Sequence, residues 1–216
     1  MSGPATSVVV AGATGLVGGH CVARLLADAR IARVTCLQRR AVSSGEADGR
    51  VRRVAVDYER LDAVPDADFA TDAALCALGT TIRVAGSQAA FRRVDHDYLL
   101  AFARRARAAG VMRFGLVSAL GADPRSAVFY NRVKGETEAA VGALGFASLS
   151  IARPSLLLGE RAEFRLGERL MMPLGRFLPR RWRAIEAGEV ARALVEATLE
   201  RGAGVHILEN AVLLPR

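Results

Sequence analysis

Residues 7–19, SVVVAGATGLVGG, contain the features that determine the fold of this chain. The first five are mainly β-branched and apolar, as in a strand that is buried on both faces of a sheet. Three glycines follow at three-residue spacing, Gly12, Gly15 and Gly18, and apolar side chains recur beyond them at helical intervals. Glycine allows a tight turn and a close approach of phosphate, while the start of a helix offers free amides. Glycines also serve ordinary turns, but this order of strand, loop and helix is typical of a dinucleotide-binding site.

Hydrophobic runs alternate with helical periodicity along the rest of the chain. Strands are predicted at 7–11, 33–37, 51–56, 73–78, 114–117, 147–152 and 205–208. Helices are predicted at 17–29, 87–109, 127–144 and 189–201. This alternation predicts an α/β protein with a doubly wound parallel sheet and helices on both faces. The length suits one domain over residues 1–216, in which the irregular stretch 159–185 forms a small C-terminal segment on the substrate side.

The composition excludes several classes of protein. With 51% hydrophobic residues in 216, the chain is too apolar to be a disordered polymer. Cys21, Cys36 and Cys76 are too few for a disulfide framework, and their apolar surroundings predict buried, reduced thiols. No run of about 18 uncharged apolar residues occurs, which argues against a transmembrane helix. The first seven residues lack the positive charge of a signal peptide, so a cytoplasmic location is predicted. The histidines are dispersed and predict no metal site.

The net charge of +8 raises the question of nucleic-acid binding. Of the 30 basic residues, 29 are arginine, and they are scattered along the whole chain. A nucleic-acid-binding protein concentrates its charge on one face, so no specific nucleic-acid partner is predicted. The single lysine is Lys134, and an ammonium differs from a guanidinium in being a compact point charge. One lysine can survive by chance, so its neighbours decide what it means.

Two arginines, Arg39 and Arg40, follow the end of the second predicted strand. A protein that binds NAD usually places an acidic residue near this point for the ribose hydroxyl, whereas NADP binders place arginine near the 2′-phosphate. No acidic residue occurs until Glu46, so the pair favours NADP. The alternative is that an arginine-rich chain has simply placed arginine on a loop.

Tyr130 and Lys134 lie four positions apart on a predicted helix, so their side chains share one face. A nearby ammonium favours the phenolate, and a tyrosine of this kind can exchange a proton with a carbonyl or an alcohol. Ser118 ends the fifth predicted strand, where a hydroxyl faces the crevice in which open α/β sheets bind ligands. Such a serine can hold a substrate oxygen, or it can satisfy local backbone groups.

The spacing of Ser118, Tyr130 and Lys134 resembles the catalytic triad of the short-chain dehydrogenase/reductase superfamily. Further segments resemble its atypical branch that contains the Tat-interacting oxidoreductases: 10–15, 78–81, 94–98, 118–123, 130–136 and 153–154. The resemblance extends from about residue 7 to residue 210. Asp95 falls where relatives commonly have a helix asparagine, and a structural role for this acid is equally open. Relatives with defined substrates usually carry a longer C-terminal domain, so the substrate cannot be inferred.

The resemblance implies a Rossmann-type fold with NADPH on the carboxyl edge of the sheet. The residues that it assigns to the cofactor are Gly12, Thr14, Gly15, Leu16, Val17, Arg39, Arg40, Asp57, Leu78, Gly79, Tyr130, Lys134, Arg153 and Pro154. It further implies an NADPH-dependent oxidoreductase of a small carbonyl or alcohol, and a possible homodimer. In that reaction Tyr130 donates the proton, Lys134 tunes it and Ser118 holds the oxygen. The alternative is a non-catalytic NADPH-binding redox sensor or scaffold.

Overall fold

A parallel sheet dominates the computed structural model, which describes residues 6–39, 49–158, 179–200 and 202–215. The strands are β1 (Thr6–Ala11), β2 (Ile31–Gln38), β3 (Val51–Ala55), β4 (Ala73–Cys76), β5 (Arg113–Val117), β6 (Ser148–Arg153), β7 (Leu157–Leu158), β8 (Ile185–Glu186) and β9 (Gly204–Glu209). Seven of them pair in the order β3-β2-β1-β4-β5-β6-β9, all parallel. The strands β7 and β8 form a separate parallel pair.

Helices connect the strands on both faces of the sheet. They are α1 (Leu16–Ala27), α2 (Asp66–Phe69), α3 (Ile82–Ala85), α4 (Gln88–Arg92), α5 (Leu99–Ala108), α6 (Phe129–Gly142), α7 (Ala187–Glu200) and α8 (Asn210–Leu213). The strand order reverses between β1 and β4, which is the point where doubly wound sheets bind their ligands. The predicted Rossmann-type fold is thus confirmed.

The core consists of two hydrophobic clusters, one on each face of the sheet. Because side chains alternate along a strand, Val8 and Val10 join one cluster while Val9 and Ala11 join the other. All four are completely buried, as the run of small apolar residues predicted. The first strand therefore lies at the centre of the sheet, and the loop that follows it opens at the switch point.

The long helix predicted at 87–109 is interrupted by a π-helical segment, Arg93–Tyr98, between α4 and α5. Gly110 ends the helix with a φ of +91°, as a left-handed C-terminal residue. The π-helical segment carries Asp95, which is completely buried. Single π turns inside helices frequently mark functional sites.

The three cysteines are buried, as predicted, and form no disulfide among the described residues. Burial raises the pKa of both Cys21 and Cys76 to about 12, so these thiols stay protonated. Across the described ranges, no helix has the length and apolar character needed to cross a membrane. Most of the predicted substrate-side segment, residues 159–178, lies outside the described residues, so its role stays a prediction.

Candidate active site

The glycine loop between β1 and α1 is a cradle that has no room for side chains at two of its positions. Gly12 has a φ of +82°, and a Cβ atom there would lie 2.5 Å from the carbonyl carbon of Ala77. A Cβ atom at Gly18 would lie 2.0 Å from the carbonyl oxygen of Gly12. The Gly15 amide donates to that same oxygen at 2.9 Å. Glycine is therefore required where the helix and the loop touch.

The N-terminus of α1 faces this cradle without a protein partner of its own. Gly15 is its N-cap residue, no side chain in the described ranges caps it, and its first turn holds no acidic residue. Val17 is buried, so only its backbone amide can face a ligand, whereas Thr14 is exposed. Free amides and the helix dipole at this end fit the phosphates of a dinucleotide.

The carboxyl end of β2 carries one residue that the sequence interpretation missed. Arg39 is exposed just beyond the strand, as is Asp57 beyond β3, while Arg40 lies outside the described residues. Gln38 is buried, and neither its amide nitrogen nor its amide oxygen has a hydrogen-bond partner within the described part of the chain. Buried polar groups are normally paired, so this amide fits a polar group of a ligand. A glutamine at the last position of a mostly buried strand was the available signal.

Lys134 on α6 forms a buried ion pair with Asp95. Its ammonium lies 2.7 Å from Asp95 Oδ1, and both side chains are almost fully enclosed. The Thr80 amide donates to Asp95 Oδ2 at 2.8 Å. A Cβ atom at Gly79 would lie 3.4 Å from Asp95 Oδ1 and 3.9 Å from the ammonium, so the pair sits beside the end of β4. Burial has the largest single effect on the pKa of Lys134 and lowers it, but the Asp95 carboxylate, with further contributions from Tyr130 and Cys76, raises that pKa overall.

Tyr130 lies one turn before Lys134 on the same face of α6. The ammonium is 6.0 Å from the centre of the Tyr130 ring, and the Phe91 ring packs against that ring at 5.3 Å. Tyr130 is half-buried, and its hydroxyl has no hydrogen bond to any described residue. The structure therefore brings the predicted tyrosine and lysine together with the phenol unengaged.

Ser118 follows the end of β5, where the sequence predicted it, and its hydroxyl donates to the Glu138 carboxylate. Glu138 also accepts from Arg153 at 2.6 Å, and Arg153 reaches Glu209 at 3.0 Å. A hydroxyl has one proton, so in this arrangement Ser118 cannot donate to a carbonyl oxygen. Its role at a substrate stays a prediction that requires the hydroxyl to turn. Sequence reasoning missed Glu138 because it is twenty positions away.

The Arg153 side chain belongs to the same network rather than to an open surface. The hydrogen bonds that Arg153 donates to Glu138, and then to Glu209, raise the pKa of Arg153 despite its partial burial. Pro154 is buried, and its carbonyl accepts from the Leu120 amide at 2.8 Å, which ties together the loops after β5 and β6. The Leu78 backbone passes close to Gly12. A Cβ atom at Gly12 would lie 2.7 Å from the Leu78 nitrogen.

Replacing Glu138 with glutamine is expected to lower the free energy of unfolding by about 2–3 kcal/mol, since hydrogen bonds to charged groups contribute this much. Glu209→Gln is the matched control, because both carboxylates bind Arg153 but Glu209 is 47% exposed and Glu138 only 8%. Exposed pairs contribute less than about 1 kcal/mol. Urea unfolding measures both variants, and equal losses would contradict this account of the network.

Comparison with known proteins supports a cofactor site at this edge of the sheet. A family model described as NAD(P)H-binding matches residues 12–144. Protein HTATIP2 of Rattus norvegicus is 38% identical over 213 residues, covering 96% of this chain and 88% of the relative. Protein fmp52, mitochondrial, of Aspergillus clavatus is 34% identical over 210 residues, covering 95% and 90%.

Solved structures with low sequence identity share the fold. MoeE5 in complex with UDP-glucose and NAD is 19% identical with a TM-score of 0.71, covering 94% of this chain and 76% of that chain. The reductase domain of PhqB from Penicillium fellutanum is 16% identical with a TM-score of 0.70, covering 96% and 68%. At such identities the likeness concerns the fold alone.

The predicted cytoplasmic location is wrong on this comparison, because fungal relatives are named as mitochondrial proteins. That prediction depended partly on the three cysteines, which the sequence interpretation took to be reduced thiols. Their burial shields them from oxidants, so they report the packing of the core and not the compartment.

The resemblance seen in the sequence is confirmed by the family model, by the HTATIP2 relative and by the architecture of the sheet. The match covers more than half of the chain and includes the glycine cradle and the Tyr130–Lys134 helix face. The chain therefore belongs to the NAD(P)H-binding family and is a relative of protein HTATIP2.

Proposed function

We propose that this protein is an NADPH-dependent oxidoreductase that transfers hydride to or from a small carbonyl or alcohol. The observation that carries the proposal is the unengaged Tyr130 phenol beside the buried Lys134 ammonium, next to Gly79 at the carboxyl edge of the sheet. An acid of this kind is what carbonyl reduction needs, because the oxygen gains a proton as the carbon gains hydride.

The residues present fit a dinucleotide cofactor, which supplies the hydride when it is bound. Gly12 and Gly18 leave a cradle that a Cβ atom would fill, and the free amides of α1 suit the phosphates. The unpaired amide of Gln38 suits a ribose or phosphate oxygen at the end of β2. We place Asp57 beside the adenine, Leu78 and Gly79 along the cofactor, and the loop at Arg153 and Pro154 beside the nicotinamide. In this placement the Arg153 side chain keeps its ion pairs with Glu138 and Glu209.

The catalytic steps follow from the chemistry of three side chains. Tyr130 donates its phenolic proton to the carbonyl oxygen, and the Lys134 ammonium stabilises the phenolate that forms. Lys134 also holds the hydroxyls of the nicotinamide ribose. Ser118 holds the carbonyl oxygen after its hydroxyl turns away from Glu138. In the oxidation direction, the phenolate takes the proton back from the alcohol.

The cofactor preference can be measured directly. NADPH is expected to bind more tightly than NADH, and an Arg39→Ala/Arg40→Ala variant should lose about 10- to 100-fold of that preference, since a charge-assisted contact contributes about 1.5–3 kcal/mol. Arg33→Ala is the control, because Arg33 is exposed at the opposite end of β2. Calorimetric titration with both cofactors gives the affinities. Equal affinities in the unmodified protein would refute the preference.

A second function, a non-catalytic NADPH-binding sensor or scaffold, is favoured by one observation. The Ser118 hydroxyl is committed to Glu138 and is not presented to a substrate. A screen of carbonyl compounds that follows NADPH absorbance separates the two functions. Tight NADPH binding without turnover of any compound would favour the sensor. We further propose that the protein binds a small-molecule substrate and forms a homodimer. We do not propose specific recognition of nucleic acid.

A further inference from the structure

Lys134 occupies a place where an isolated lysine would not keep its charge. It is the only lysine in the chain, and its side chain is only 6% exposed. Lysine is rarely buried to this extent unless it is paired. Burial disfavours the charged form, and buried lysines without a counterion are neutral near neutral pH. The charge that the proposed reaction needs must therefore be maintained by a neighbour.

Asp95 is the neighbour that meets this requirement. Three ionisable groups face the ammonium from the described elements: Asp95 on the π-helical segment, Tyr130 on the same helix and Cys76 on β4. The thiol stays protonated because burial raises the pKa of Cys76 to about 12. Tyr130 is the proton donor of the proposed reaction and therefore starts that reaction with its proton. Among these three groups, Asp95 thus supplies the compensating negative charge.

Two further contacts hold Asp95 in place, one to its carboxylate and one to its backbone. Its second oxygen accepts from the Thr80 amide at 2.8 Å, which ties it to the loop after β4. Its backbone carbonyl accepts from the Thr137 hydroxyl at 3.0 Å, which ties it to α6. The π-helical segment displaces the backbone at this point from regular α-helical geometry. Asp95 is therefore attached to both elements that border the ammonium.

We propose that Asp95 is a positioning residue, a counterion that keeps the buried Lys134 charged and holds its ammonium beside Tyr130 at the end of β4. This inference depends on the proposed function only for its consequence in catalysis. Its physical content, that the charge of Lys134 depends on Asp95, can be tested without a substrate.

The presence of a single lysine makes that test direct. Labelling with ¹³Cε-lysine gives one side-chain NMR signal, whose chemical shift reports protonation of Lys134. We expect the unmodified protein to keep the ammonium up to at least the ordinary lysine range. In Asp95→Asn, which has the same shape without the charge, the pKa of Lys134 should fall by about 2 units or more. An unchanged titration in Asp95→Asn would overturn the inference.

Asp97→Asn is the matched control. Asp97 lies two residues away on the same π-helical segment, is 58% exposed and contacts His96 rather than Lys134. This variant should leave the titration of Lys134 unchanged. A fall of the same size in both variants would overturn the inference, because it would show a general disturbance of the segment.

Thermal unfolding tests the same inference if the Asp95→Asn variant folds too poorly for an NMR titration. The Lys134→Met variant leaves Asp95 buried without its partner. The melting temperature of this variant should therefore fall below that of the unmodified protein. Adding Asp95→Asn to Lys134→Met removes the unpaired charge and should recover part of that loss. A double variant that melts no higher than Lys134→Met would overturn the inference.

Turnover then distinguishes the inference from the proposed function. The ammonium exists only below the pKa of Lys134, so Asp95→Asn should keep activity at low pH and lose it as the pH rises through the lowered value. The unmodified protein and Asp97→Asn should keep activity across that range. If the NMR titration shifts and turnover does not, the counterion role is upheld and the proposed use of Lys134 in catalysis is refuted.

Discussion

Gly18→Ala is expected to abolish cofactor binding at concentrations that saturate the unmodified protein, and to lower the free energy of unfolding by about 1–3 kcal/mol. The added Cβ atom would lie 2.0 Å from the Gly12 carbonyl oxygen. Both atoms are held in place by the backbone, so no change of rotamer can relieve the contact. Either the helix shifts away from the loop or the loop opens. In both cases the amides of α1 no longer point at the phosphates.

The neighbouring residue provides the control for this prediction. A Cβ atom at Gly19 would lie 3.7 Å from the Ala13 carbonyl oxygen, which is an ordinary contact. Gly19→Ala should therefore bind NADPH normally. Its free energy of unfolding should rise by up to about 1 kcal/mol, because alanine favours a helix interior. Fluorescence titration with NADPH and urea unfolding measure the two properties. Normal NADPH affinity in Gly18→Ala would show that the cradle does not hold the cofactor.

The second large effect is expected for Tyr130→Phe, which should lower turnover of a carbonyl substrate by about 10²- to 10⁴-fold. The change removes the proton donor and keeps the ring that packs against Phe91, so folding should be unaffected. NADPH affinity should change little, because the phenol is assigned to the substrate. Steady-state rates that follow NADPH absorbance, together with a binding titration, measure both quantities.

Tyr98→Phe is the control for loss of a phenol. The Tyr98 hydroxyl donates to Glu59 at 2.8 Å at the surface, away from the Tyr130–Lys134 face. This variant should turn over substrate at close to the unmodified rate. A Tyr130→Phe protein that is as fast as Tyr98→Phe would mean that another group supplies the proton.

The features that the sequence predicted well are those that depend on local chemistry. Val8 to Ala11 had to be buried on both faces, because no polar residue interrupts that run. Gly18 had to be glycine because its Cβ atom would meet the carbonyl oxygen of Gly12, six residues earlier, whereas the distant contact of Gly12 with Ala77 could not be read from the sequence. Tyr130 and Lys134 meet because a helix repeats every 3.6 residues. The site could therefore be located from three short segments.

The features that the sequence did not predict depend on contacts between distant segments. Nothing near Ser118 indicates that its hydroxyl meets Glu138, and nothing near Lys134 indicates that Asp95 faces it from another helix. The π-helical segment was also missed. The apolar spacing from Phe91 to Phe102 suits a continuous α-helix. In the structure Phe91 packs against Phe129 and Tyr130, whereas Phe102 lies in the core cluster on the sheet, and the helix widens between them.

The π-helical segment determines which residues of the following helix, α5, face the core. Each residue of an α-helix turns the chain by about 100°. Because a π turn holds about one residue more than an α turn, winding Arg93–Tyr98 as regular α-helix without removing a residue would rotate everything that follows by roughly a quarter turn. Phe102 and Ala106, which are completely buried, would then point away from the sheet. Insertions and deletions in this helix should therefore be far less tolerated than substitutions, even at its exposed positions.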